Sequence, residues 1–286
     1  MSAKTTSSVV RLTETGVMLA LGTVLSLFPF YQLPYGGSIT LAAMLPMLII
    51  AYRHGSGWGF FAAGVYGLIQ ALLGASNFGY VPGFAAFICI LLFDYFIAFA
   101  AMCLGGTFRK LSDPAMGLSL GALCACAARY LCHVISGCTV WASAPFVTDG
   151  AAIVYSVSYN ASYMLPETIV TVAAAWWLGK QLDFRKPKLG AAVRECAKTS
   201  VAATVLAVIG SLLLTGVVAF DLICLTVAFM GALAAAGFDS AAFTLTAVTL
   251  PWKPMLIVTA VGGVIATVLL LVARRVRKNR NVSRET

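Results

Sequence analysis

Of the chain's 286 residues, 60% are apolar and only 10% are charged, whereas an ordinary soluble domain carries roughly 25% charged residues. This excludes a soluble enzyme, a disordered regulator and a nucleic-acid-binding domain, because too little charge is present to coat a soluble fold of this length. The net charge of +9 sits in short basic clusters between apolar runs and in the tail, the placement of cytoplasmic loops rather than of a nucleic-acid interface.

The apolar runs are continuous and about 20 residues long, not the ten-residue alternation of a large β-barrel, so an all-α polytopic membrane protein is predicted. Span one covers residues 12–30. Glu14 stands at its start and no clear small-residue cleavage site follows, so it reads as a retained span. Span two covers 39–52 and ends in Arg53-His54; it is short for a crossing and is expected to be tilted or incompletely inserted. Span three covers 57–74. Span four covers 83–105 and leads through Gly105-Gly106 to Arg109-Lys110. Span five covers 116–139, and span six covers 153–179 before a basic loop with Lys180, Arg185, Lys186, Lys188, Arg194 and Lys198.

Beyond that loop lie apolar stretches at 199–220, 222–237 and 255–273. Crossings at 199–220 and 255–273 are expected, with an outer-leaflet or re-entrant helix between them; four short crossings are the alternative. The organisation is then a six-span domain over 1–185, a basic linker over 186–198, and a membrane extension over 199–286 with the basic tail Arg274, Arg275, Arg277, Lys278, Arg280. Placing Lys4 and Arg11 inside puts every basic loop inside and leaves Asp149 the only charge of the outer loops. Both termini are therefore expected in the cytoplasm of a cell-membrane protein.

Eight cysteines are present, seven of them (Cys89, Cys103, Cys124, Cys126, Cys132, Cys138 and Cys224) in or beside apolar runs, where buried thiols act as small hydrophobes. With no CxxC and no HExxH, neither a metal nor another cofactor is expected.

Ionisable groups within membrane spans are costly and usually functional. Asp94 lies in span four about 16 Å from its outer start, and His133 lies in span five about 9 Å from its outer end. Trp141 lies just beyond that end, and Tyr155 and Asn160 lie in the first turns of span six. An anion, an imidazole, an indole, a phenol and a carboxamide thus converge in the outer half. Aromatic faces around one carboxylate suit a flat cationic heteroaromatic ligand, through cation–π contact and charge-assisted hydrogen bonds. Asp94 paired with Arg129 for structure alone is the blander alternative. Glu167 and Arg129, deeper or nearer the inside, are read as structural.

Leu12-Thr13-Glu14 opens span one, and Gly36-Gly37-Ser38-Ile39-Thr40-Leu41 leads to Leu45-Pro46. Phe93-Asp94-Tyr95 is followed by Ala98-Phe99, and Arg129-Tyr130 stands with His133 and Gly137 before Trp141, Tyr155-Ser156-Val157 and Asn160. In this order and spacing, over residues 10–185, the chain resembles the ThiT family, the thiamine-specific substrate-binding (S) components of energy-coupling factor (ECF) transporters. The resemblance implies a six-helix bundle with a vitamin pocket near the outer face, here followed by two or more additional transmembrane helices. It implies that Asp94 binds the aminopyrimidine ring, that His133 and Trp141 enclose the rings, and that Tyr155 and Asn160 complete the pocket. Tyr95, Phe84 and Tyr35 match further aromatic positions. Thiamine, whose thiazolium ring is permanently cationic, agrees with the ligand read from the residues.

Gly16 and Ala20 form a small-xxx-small pair on span one, which permits close approach of another helix. The resemblance implies that this pair docks a transmembrane coupling subunit, with two ATPase subunits driving transport. The chain has no GxxxxGK[ST] loop and is not itself the ATPase. The same residues also suit a thiamine precursor or another cationic heterocycle, and a stand-alone transporter is a further alternative. An intramembrane enzyme with Asp94 and His133 as an acid–base pair lacks a nucleophile or metal set, so no enzyme is expected. The chain departs from the family in its C-terminal helices and in having Asp, one methylene shorter than Glu, at 94.

Overall fold

The computed structural model describes residues 8–33, 36–81, 83–141, 150–186, 190–191, 201–236 and 247–282. The described chain divides into two compact units, one extending to residue 191 and the other containing the last two helices.

The first unit opens with α1 (Ser8–Ser26), followed by a small antiparallel hairpin of β1 (Tyr31–Gln32) and β2 (Ser38–Ile39). Next come α2 (Leu45–His54), α3 (Ser56–Leu73) and a 3-10 segment over Ala75–Tyr80. The long helices α4 (Phe84–Gly106), α5 (Pro114–Thr139) and α6 (Gly150–Gln181) complete the bundle. A second two-stranded pairing, β3 (Leu182–Asp183) with β4 (Gly190–Ala191), follows α6.

The shortest helix is the hub of the core. Met47, Leu48, Ile50, Ala51 and Tyr52 of α2 are essentially inaccessible, and α1, α3, the last turns of α4, and α5 pack around them. Ten residues rise only about 15 Å, so α2 cannot span a bilayer core. Pro46 starts it, in the first turn, where a missing N–H costs nothing. It passes into α3 through Gly55 alone, whose φ of 95° disfavours any residue with a side chain.

Helix α5 begins at Pro114 behind Asp113, whose carboxylate accepts from the Ala115 N–H at 2.9 Å and so caps the helix. Helices α5 and α6 share the most extensive helix–helix contact of the bundle. At Gly137 a Cβ would strike the Ser156 hydroxyl and the Asn160 amide, so glycine is what lets α6 approach.

At the end of the bundle opposite the hairpin, polar side chains form a clasp. Arg53 donates two hydrogen bonds to Glu14, at 2.6 and 2.7 Å, and two more to the Phe184 and Lys186 carbonyls. Lys180 meets Asp113 at 2.6 Å, and Arg185 pairs with Asp183 and donates to the Leu111 carbonyl. The Arg185 guanidinium holds the Asp183 carboxyl below its ordinary range, and the Lys180 ammonium does the same for Asp113.

The second unit is a helical pair, α7 (Val201–Ala235) and α8 (Trp252–Val282). The expected separate re-entrant segment at 222–237 is not formed. Helix α7 continues unbroken through 220–222 and, with 35 residues, is about 52 Å long. Asp221, where a break was expected, lies within the helix and accepts from the Thr259 hydroxyl at 2.6 Å. No glycine or proline falls between 217 and 230 to stop a helix there. Gly210 and Gly262 let α7 and α8 pack closely, against Leu270 and Val217 respectively.

Candidate functional site

The site is built where α4, α5 and α6 meet, and α4 is irregular there. Phe84–Ile90 is α-helical, Leu91–Ile97 is π-helical, Ala98–Ala100 returns to α, and Ala101–Gly106 tightens to 3-10. Asp94 sits in the middle of the π segment. Such a widened turn shifts side chains off the regular 100° progression and is frequent at functional sites.

Three protein donors converge on Asp94. His133 Nδ1 lies 2.9 Å from Oδ1, the Ser136 hydroxyl donates to Oδ2 at 2.7 Å, and the Trp141 indole N–H donates to Oδ2 at 2.8 Å. His133 and Ser136 are three residues apart on α5 and so share a face. Val140 and Trp141 N–H groups both turn back onto the Ser136 carbonyl, which sets the indole beyond the end of α5. A carboxylate offers about four lone-pair directions, so Oδ1, with a single donor among the described residues, retains capacity for another. The Asp94 side chain is 15% exposed.

The far side of His133 is also bonded. Arg129, one turn earlier on α5, donates from Nε to His133 Nε2 at 3.2 Å. Its guanidinium carbon lies 4.4 Å from the centre of the Phe99 ring, and its Nη1 points at the Met44 sulfur. An arginine N–H only donates, so Nε2 acts as acceptor and the imidazole proton lies on Nδ1, toward Asp94.

Helix α6 supplies the third wall. The Asn160 amide donates to the His133 carbonyl at 3.2 Å and to the Ser156 carbonyl, while its oxygen accepts from the Tyr163 hydroxyl at 2.7 Å. Tyr155, Tyr159 and Tyr163 form an aromatic ladder: Tyr155 stacks on Tyr159, Tyr159 meets Tyr163 edge-on, and Tyr163 meets the His133 ring with centroids 6.2 Å apart. A Cβ on Gly37, in the hairpin, would contact both Tyr159 and Tyr163. The hairpin is tied to the same wall, because Glu167 of α6 accepts from the Thr40 N–H and hydroxyl, both at 2.6 Å.

The structure thus brings Asp94, His133 and Trp141 into direct contact, with Asn160 bonded to the His133 backbone and Tyr155 two rings away. Tyr95 turns elsewhere: its hydroxyl meets Asn77 and Gly74, and its ring lies against Phe78. Phe84 is 78% exposed and stacks on Phe87. Tyr35 lies outside the described residues. Gly16 and Ala20 are exposed on α1, and a Cβ on Gly16 would meet nothing within 4 Å. Arg129 bonds to His133 rather than to Asp94. Ser136 and Tyr163 were not singled out in the sequence, although each stands three residues beyond a residue that was.

A family model described as thiamine transporter protein matches residues 12–185. The thiamine transporter ThiT of Bacillus subtilis (strain 168) is 32% identical over an alignment of 174 residues that covers 56% of this chain and 85% of that protein. A solved structure of ThiT from Listeria monocytogenes is 24% identical, covers 60% of this chain and 94% of its own, and superposes with a TM-score of 0.49.

Proposed function

The chain belongs to the thiamine transporter protein family, and from this we propose that it captures thiamine at the outer face as the S component of an ECF-type importer. The observation that carries the ligand assignment is the Asp94 carboxylate, held by His133, Ser136 and Trp141 with a lone pair of Oδ1 to spare. An amino group on a heteroaromatic ring donates to that oxygen, and the indole and imidazole planes cover a cationic ring. Asn160 orders this wall through the His133 backbone, and Tyr155 extends it. The hairpin-proximal end of the bundle is the outer end, and the clasp is cytoplasmic, as the basic residues require.

Gly16 and Ala20 form the docking face for a transmembrane coupling subunit, whose two ATPase partners supply the energy for reorienting the bundle. Phe84, Tyr95 and Tyr35 belong to the outer aromatic rim in this reading. The test is a thiamine titration of the purified protein followed by tryptophan fluorescence and calorimetry. Saturable binding that is lost in Asp94→Asn supports the assignment. No heat and no quenching with thiamine, but binding of an aminopyrimidine precursor, reassigns the ligand and keeps the site.

A further inference from the structure

We propose that Arg129 is a positioning residue that holds His133 neutral with its proton on Nδ1, so that the carboxylate of Asp94 stays free to balance the charge of a cationic ligand. The proposal rests on the thiamine reading for its functional consequence, but its chemistry stands on the free protein.

His133 is bonded on both edges by groups that leave no choice of tautomer. Nε2 faces an N–H that cannot accept, and Nδ1 faces a carboxylate oxygen that cannot donate while ionised. A second proton, on Nε2, would break the bond to Arg129 and set an imidazolium against a guanidinium within the protein. That arrangement matters to the ligand. An imidazolium at 2.9 Å would neutralise Asp94 from within the protein and place a cation beside the cationic ring. A neutral imidazole donates the same hydrogen bond without spending the carboxylate's charge.

Arg129 is itself held away from Asp94. Its guanidinium lies over Phe99 of α4 and reaches Met44, which precedes α2. The groups around His133 are few. From α4 comes Asp94, with the neutral phenol of Tyr95 farther along. From α6 come the phenols of Tyr163 and Tyr159, and the Glu167 carboxylate, which is taken up by Thr40. On α5 itself the titratable residues within a turn are Arg129, the Tyr130 phenol, which donates to the Val157 carbonyl, and the Cys132 thiol. Of these, only Asp94 and Arg129 touch the ring nitrogens, and they act in opposite senses on a second proton. Removing Arg129 leaves Asp94 alone to draw the proton in.

The experiment is nitrogen-15 NMR of histidine-labelled full-length protein in lipid nanodiscs, without ligand, between about pH 5 and 8, where an ordinary histidine titrates. The chain has two histidines, and His54→Gln assigns the signals. His133 of the wild type is expected to remain the neutral Nδ1–H form throughout. In Arg129→Gln it is expected to become cationic at the acid end, and in Arg129→Lys, which keeps a cation and a donor, the neutral form returns.

Thiamine binding measured in parallel should vary less than about threefold across this range in the wild type and weaken about tenfold toward pH 5 in Arg129→Gln. A wild-type His133 that is protonated on Nε2, or an unchanged tautomer and a flat binding profile in Arg129→Gln, overturns the proposal. Should Arg129→Gln not fold, the wild-type spectrum and Arg129→Lys still decide it. The expected tautomer with no thiamine binding at any pH sinks the ligand assignment and leaves the positioning of His133 standing.

Discussion

Glu167 and Thr40 stand 127 residues apart and are joined twice, through the Thr40 N–H to Oε2 and the Thr40 hydroxyl to Oε1, each at 2.6 Å. Glu167 is only 3% exposed, so this carboxylate is what ties the hairpin and the approach to α2 onto α6. Removing it in Glu167→Ala strands a buried backbone N–H, a cost of about 2 kcal/mol. For a protein of this size the expected fall in melting temperature is about 4–8 °C. Thr40→Val, which keeps the N–H bond and loses the hydroxyl, should fall by less. Thermal unfolding in one detergent measures both, and a wild-type melting temperature for Glu167→Ala would deny the tie its structural role.

Asp94→Asn keeps the size of the side chain and removes its charge. A hydrogen bond to a charged group contributes about 1.5–3 kcal/mol, so thiamine affinity should drop tenfold or more. The asparagine amide also turns a donor toward the donors that remain. Calorimetry reads this directly, and an unchanged dissociation constant would remove Asp94 from the site.

Trp141 has two separable parts, a ring face and an N–H bonded to Asp94. Trp141→Ala loses both and should weaken thiamine binding at least tenfold, on the scale of a desolvated cation–π contact of about 2 kcal/mol. Trp141→Phe keeps a face and should lose less than about threefold. Equal losses in the two variants would place the indole's contribution in its hydrogen bond instead. Fluorescence quenching by the ligand should vanish in Trp141→Phe if that ring is the reporter.

Gly16 has open space where a side chain would begin, so Gly16→Trp fits the free protein without repacking it. Thiamine binding is expected to be unchanged while uptake into cells or proteoliposomes is abolished. Uptake at the wild-type rate would end the docking assignment.

The Asp183–Arg185 pair makes a pH-dependent contribution to stability. Because Arg185 lowers the Asp183 carboxyl below its ordinary 3.8, the contribution is complete above 3.8 and is lost as pH falls through the lowered value. Asp183→Asn should therefore melt below the wild type at neutral pH, and the two should converge under strongly acid conditions. A gap that persists there would mean that the pair's charge is not what stabilises this end.

The spans of the bundle are legible in the sequence because each is an apolar run bounded by bases or turn residues. The convergence of Asp94, His133 and Trp141 on one end follows from counting residues along antiparallel spans. Ser136 could have been found the same way, one turn beyond His133. The detailed partners were not legible. The π segment at Leu91–Ile97 breaks the regular angular spacing, and within it Asp94 turns to His133 while Tyr95 turns to Asn77. The Glu167–Thr40 tie joins distant residues with no local pattern to announce it. Two apolar stretches were read on either side of residue 221, whereas the chain runs on there as one helix and Asp221 accepts from Thr259 of the next.

Helix α1 exposes Gly16 and Ala20, yet its other edge is riveted down its length. Glu14 is forked by Arg53, Thr15 accepts from the Trp58 indole, the Gly22 carbonyl accepts from Tyr66, and Ser26 accepts from Gln70. A subunit that grips Gly16 therefore pulls on a handle fixed within one helical turn to α2 and α3. Under the proposed docking, force applied there would pass to α2 and α3 through these bonds, where a helix held by lipid contacts alone would peel away.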